Sequence, residues 1–139
     1  MSYYRDENNN IRCNLLDEDA LKLARSFIKY KPHRDNEPDK KGSLTPTQLR
    51  RFYKDFKQLE KKVKSKTNFE AVKPLIKMVK SKANYAARED NPKIPRNFKS
   101  FLVENIDRID MSEDFEAFML HFEAVVGFYY GLPGIKKLR

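Results

Sequence analysis

The chain has 139 residues and a formal net charge of +9, from 29 lysines and arginines against 20 aspartates and glutamates. A single cysteine excludes an internal disulfide, and four glycines with no tryptophan argue against a sheet-and-turn protein. The length suits one domain, and the basic excess points to a polyanion, either nucleic acid or an acidic membrane surface.

Residues 1–16 are Asn-rich and charged without a clear period, and read as a mobile arm. Residues 1–20 are too polar and acidic for a signal peptide, which with the lone Cys13 fits a reducing cytoplasm. Asp17 can cap a first helix reaching about Tyr30, in which Ala20, Leu21, Ala24, Phe27 and Ile28 recur at helical spacing. Lys31 to Ser43, with two prolines, a glycine and many charges, reads as a linker or exposed loop. The second helix fills "LTPTQLRRFYKDFKQLEKKVKSK", Leu44 to Lys66. Thr45 is its N-cap, Pro46 its first helical residue, and Gln48 stands at capping-box spacing.

Pro74 divides the next stretch, so a short turn at 68–73 and a third helix from Pro74 to about Arg88 are expected. Pro95 opens a fourth helix to about Ile109. Ser112 caps a fifth, and Gly131 ends it. The fold class is therefore all-α: a compact bundle of about five helices with a mobile N-terminal arm. Residues 1–43 form the arm, with its short helix and charged linker, and residues 44–139 the helical domain. Ala117 to Leu132 is the most apolar stretch, but His121 and Glu123 interrupt it. It is too short and polar to span a bilayer and reads as a central core helix.

Helical residues step by about 100°. In the second helix Leu49, Phe52, Phe56, Leu59 and Val63 share one face, with Tyr53 beside them. Arg50, Lys54, Lys57, Lys61 and Lys64 form a ridge on another side, flanked by Arg51 and Lys62. The third helix repeats the design: Val72, Leu75, Ile76, Val79 and Ala83 on one face, Lys73, Lys77, Lys80, Asn84 and Arg88 on another, with Lys82 apart. Residues 41–88 carry fourteen lysines and arginines against Asp55, Glu60 and Glu70. Residues 109–131 carry none, but hold Asp110, Glu113, Asp114, Glu116 and Glu123.

Exposed helices ordinarily mix signs, because like charges four residues apart cost about 0.2–0.5 kcal/mol per pair. A ridge kept basic against that cost is explained by phosphates, whose counterions are released on binding. Acidic membrane is a poorer partner, since the apolar faces of both helices are needed for the core. For the same reason the phenylalanines and tyrosines read as core before they read as base-stacking groups.

Catalytic chemistry is sparse. His33 lies in a loop and His121 between Leu120 and Phe122, and with one cysteine they give no zinc spacing. No phosphate-binding glycine loop is present, and no cofactor is implied. Carboxylates such as Asp107, Asp110, Asp114 and Glu116 can hold magnesium in principle, but acids between a helix end and a helix start read as answering to the helix dipole.

Three stretches in order resemble a known family. "LTPTQLRRFYKDF", Leu44 to Phe56, resembles the opening helix of the small subunit of the type III-A CRISPR effector, the Csm complex. "KPLIKMVKSKANYAAR", Lys73 to Arg88, is similar to its second signature, and "DFEAFMLHFEAVVGFYYG", Asp114 to Gly131, to its closing helix. The resemblance covers about residues 44–131 and leaves residues 1–43 without a counterpart.

The resemblance implies a small helical, non-catalytic subunit present in several copies along a filament of backbone subunits, beside a large subunit. It implies grip on guide RNA and target RNA by the sugar-phosphate chain, with base pairing choosing the sequence. By motif match the RNA-binding positions are Arg50, Arg51, Lys54, Lys80, Lys82 and Arg88; the ridge geometry adds Lys57, Lys61 and Lys77. The partners expected are RNA, other effector subunits and neighbouring copies, not a membrane. A protein–protein adaptor and a general basic nucleic-acid-binding protein are the alternatives.

Overall fold

The computed structural model describes residues 3–65 and 68–138. Among them are five α-helices: α1 (Glu18–Ser26), α2 (Pro46–Lys64), α3 (Phe69–Ala86), α4 (Arg96–Arg108) and α5 (Ser112–Tyr130). One antiparallel hairpin, β1 (Tyr30–Lys31) and β2 (Arg34–Pro38), stands between α1 and α2. The all-α class holds. Lys66 and Thr67, at the expected join of the second and third helices, lie outside the described residues.

Asp17, expected to cap the first helix, makes no side-chain cap bond, and α1 stops at Ser26, short of Tyr30; α2, α3 and α5 start on side-chain caps. Thr45 accepts the Gln48 amide at 3.3 Å and Pro46 opens α2, as expected. The third helix starts earlier than its proline suggested. Asn68 accepts the Ala71 amide at 2.9 Å, and α3 runs from Phe69 straight through Pro74. Pro74 is the sixth helical residue, past the first turn, so its missing N–H forfeits the bond to the Glu70 carbonyl; burial of Val72 and Ile76 on either side offsets the loss. At α5 Ser112 is already helical. Asp114 supplies the cap instead, its carboxylate accepting the amides of Asp110 at 3.0 Å and Met111 at 2.9 Å.

The first forty-three residues differ most from expectation. The arm is packed, not loose: Tyr4 is fully buried and donates to the Asn105 side-chain carbonyl at 2.8 Å. Burial raises its phenol pKa well above the ordinary value. Leu15 is buried too, and His121 Nδ1 donates to its carbonyl. The expected loop at 31–43 contains the hairpin, turned at His33 with φ 61°. Tyr30 ties the hairpin to the C-terminal end by donating to the Pro133 carbonyl at 2.9 Å. Gly134 meets the same hairpin at φ 75°, where any side chain runs into the Asn36 carbonyl.

One aromatic core joins these parts. Phe27, Phe52, Phe98, Phe101 and Phe122 pack ring on ring, and Phe56 and Phe118 extend the cluster. α5 is the central helix, with Phe115, Phe118, Phe122, Val125 and Tyr129 buried, as its double apolar stripe predicts. It packs on α1 and α2, while α3 pairs with α4 and α2. The exposed sides of α2 and α3 are thus left as neighbouring surfaces.

Candidate nucleic-acid interface

The apolar face of α2 determines where its charges go. Leu49, Phe52 and Phe56 are buried, with Tyr53, Leu59 and Val63 packed at the margin. That turns Arg50, Arg51, Lys54, Lys61 and Lys62 into solvent. None of these five has an acidic partner among the described residues. Lys57 is different. It donates to Glu60 at 2.8 Å, which raises its pKa, and its ammonium lies 6.0 Å from the Tyr53 ring centre. Lys64 also leans on Glu60, at 4.0 Å.

The ridge on α3 faces protein. Lys73 pairs with Asp110 at 2.8 Å and Lys80 with Asp107 at 2.6 Å. Between them Lys77 donates to the carbonyls of Ile106 and Ile109, both at 2.6 Å. Those carbonyls lie at the end of α4, where Ile106 also accepts the Ile109 amide at 3.2 Å, so the ammonium adds a donor there and meets the negative end of the helix dipole. Burial first, then repulsion from Lys80 and Lys73, lowers the Lys77 pKa. Replacing Lys77 by methionine keeps the stem and removes the charge. About 1.5 kcal/mol of stability is expected to go with it, read by denaturant unfolding, with RNA affinity unmoved.

Lys82 lies on the other side of α3, and Arg88 just past the end of that helix. Lys82 reaches Asp55 of α2 at 3.3 Å. Arg88 lies over the Tyr85 ring with 4.1 Å to its centre, donates to the Tyr85 carbonyl at 2.9 Å, and stands 3.6 Å from Asp90. With Arg51 and Lys93 they line a trench of about 560 Å³ between the two helices. Through Lys93 it continues to Lys40 and Lys41 beside the start of α2, and through Lys82 to Lys62.

The structure therefore brings Arg51, Lys82 and Arg88 together, and leaves Arg50, Lys54 and Lys61 on the adjoining outer side of α2. Lys57 is tied to Glu60, and Lys77 and Lys80 are turned onto α4. Lys40, Lys41 and Lys93, which join the trench from loops, were missed by helical periodicity because loops have no period. Their only signal was proximity to the Thr45 cap and to Pro95.

His121, Asp107, Asp110 and Asp114 have structural partners. His121 is buried, and burial lowers its pKa in spite of the Leu15 bond. Asp107 and Asp110 hold lysines, and Asp114 holds the start of α5. No cluster of three or more His, Cys, Asp or Glu suited to a metal ion occurs among the described residues. Nor is any helix among them long and apolar enough to cross a membrane.

Helices and charge together define a small all-α protein with one strongly cationic flank. The chain belongs to the type III-A Csm2 family, whose family model matches residues 14–131. It is a subunit of the type III-A CRISPR effector complex and assembles with the other subunits of that complex. The match reaches back across α1 and the hairpin, well beyond the three stretches first singled out. No curated protein and no solved structure matches the chain.

Proposed function

We propose that this subunit holds guide RNA and target RNA by the sugar-phosphate chain, without reading bases and without catalysis. The observation that carries this is the unpaired cationic side of α2. Five exposed cations, Arg50, Arg51, Lys54, Lys61 and Lys62, have no acidic partner among the described residues, while the lysines facing α4 are all satisfied. Lys82 and Arg88 extend the surface into the trench. Cations on a rigid helix position a phosphate chain regardless of its sequence. The ties already made by His121, Asp107, Asp110 and Asp114 support a role without chemistry. The acidic Glu113, Glu116 and Glu123 of α5 are exposed and suit the cationic side of a neighbouring copy, with backbone and large subunits as further partners.

The test is binding of unrelated single-stranded RNAs across a salt series. Affinities are expected to be equal between sequences. Five phosphate contacts give a slope of log affinity against log salt of about −3.5. A flat response, with capture of an effector subunit that survives nuclease, points instead to an adaptor whose basic face docks an acidic protein.

A further inference from the structure

Tyr85 is the most exposed large apolar side chain among the described residues, at 68%. Other exposed tyrosines have ring partners: Tyr3 packs edge-on to Tyr4 between Arg12 and Arg108, and Tyr130 packs on Tyr129. Tyr85 has no aromatic partner among the described residues. Its one cation–π contact among the described residues is with the Arg88 guanidinium, which itself donates to the Tyr85 carbonyl and stands by Asp90. One face of the ring is thus backed by a fixed cation and the other is open. The open ring stands in the trench that Arg51, Lys82 and Lys93 line.

A flat aromatic face inside a cationic trench matches one kind of ligand, a nucleobase whose own phosphates lie against the flanking cations. Protein side chains offer no such regular pairing of flat ring and negative charge. A base already stacked inside a duplex cannot present its face to the ring. We propose that Tyr85, backed by Arg88, stacks one unpaired base of single-stranded RNA threaded along the α2–α3 trench. This rests on the RNA-holding reading and adds to it a base contact that is blind to base identity.

The experiment uses the full chain with a single-stranded RNA carrying 2-aminopurine, and a duplex of the same sequence. Wild-type protein is expected to change the fluorescence of the unpaired probe. Tyr85→Ala, and Tyr85→Leu as a bulk-preserving second variant, weaken the single strand at least about fivefold and abolish the fluorescence change. Duplex affinity and the salt slope stay as they were, because stacking releases no counterions. Tyr85→Phe retains binding. If single-stranded RNA binds but the Ala and Leu variants bind equally well, the stacking proposal is overturned and the phosphate-holding reading stands. If no RNA binds at all, both fall. Loss of effector-subunit capture in Tyr85→Ala, with RNA binding intact, assigns the ring to a protein contact and also overturns the proposal.

Discussion

Replacing Arg50, Arg51 and Lys54 together by alanine is expected to lower RNA affinity about 100-fold at about 0.1 M salt, equally for unrelated sequences. Each phosphate neutralised on a single strand contributes about 0.7 to the slope, so three lost contacts remove about 2 from it. Folding is insulated from this change. All three side chains are exposed on a helix, where alanine is the best helix former. Separating Arg50 from Lys54, like charges four residues apart, relieves a small repulsion. The comparison is Lys73→Ala with Lys80→Ala. Those ammonium groups already sit on Asp110 and Asp107, so their removal takes little from the RNA slope and shows in stability. Binding titrations at four or more salt concentrations distinguish the two sets. If the α2 triple variant keeps the wild-type slope, the cationic side of α2 does not meet phosphate.

The α2 surface was legible in the sequence because one local rule generated it. Pro46 and Thr45 set the start, three residues to the core set the rotation, and every other position followed by 100° steps. The same rule applied to α3 put Lys73, Lys77 and Lys80 on one face but could not say what that face met, and it misplaced Leu75, which is exposed, and Arg88, which lies past the helix end beside the Lys82 side. Lys73, Lys77 and Lys80 look as free as Lys54 until α4 is laid alongside, and the partners Asp107 and Asp110 are about thirty residues away. Pairing across helices is a tertiary fact with no local signature.

The packing of the N-terminal segment escapes a local reading for a related reason. Tyr3–Tyr4 and Leu15–Leu16 are short pairs among polar residues and make no periodic pattern, yet Tyr4 and Leu15 are each buried against a distant element. A hydrogen bond spanning 101 residues, Tyr4 to Asn105, is invisible to any window of neighbouring sequence. The hairpin is likewise held from outside, by Pro133 and Gly134 at the far end of the chain. At α3 the proline hides the true start of the helix. Asn68 offered a cap of the same quality as Thr45, and Pro74, sixth in the helix, is carried at the cost of its bond to the Glu70 carbonyl while Val72 and Ile76 beside it are buried.

Phe98→Ala is expected to cost about 3–5 kcal/mol, since the site is fully enclosed and cannot collapse without moving four other rings. Phe98 meets Phe27 at 5.1 Å, Phe52 at 5.8 Å, Phe101 at 6.1 Å and Phe122 at 6.4 Å between ring centres. Against a whole-domain stability of about 5–15 kcal/mol this is a large fraction. For a domain of this size it lowers the melting temperature by roughly 10–20 °C. The shape of the transition carries the further information. Phe27 belongs to the segment before α2 and Phe122 to the last helix, so a cavity at Phe98 weakens both at once. Calorimetry is expected to show one transition, shifted as a whole. Two transitions, with only the later one moved, would mean that residues 1–43 fold apart from the bundle. The cationic side of α2 would then be held by the later helices alone.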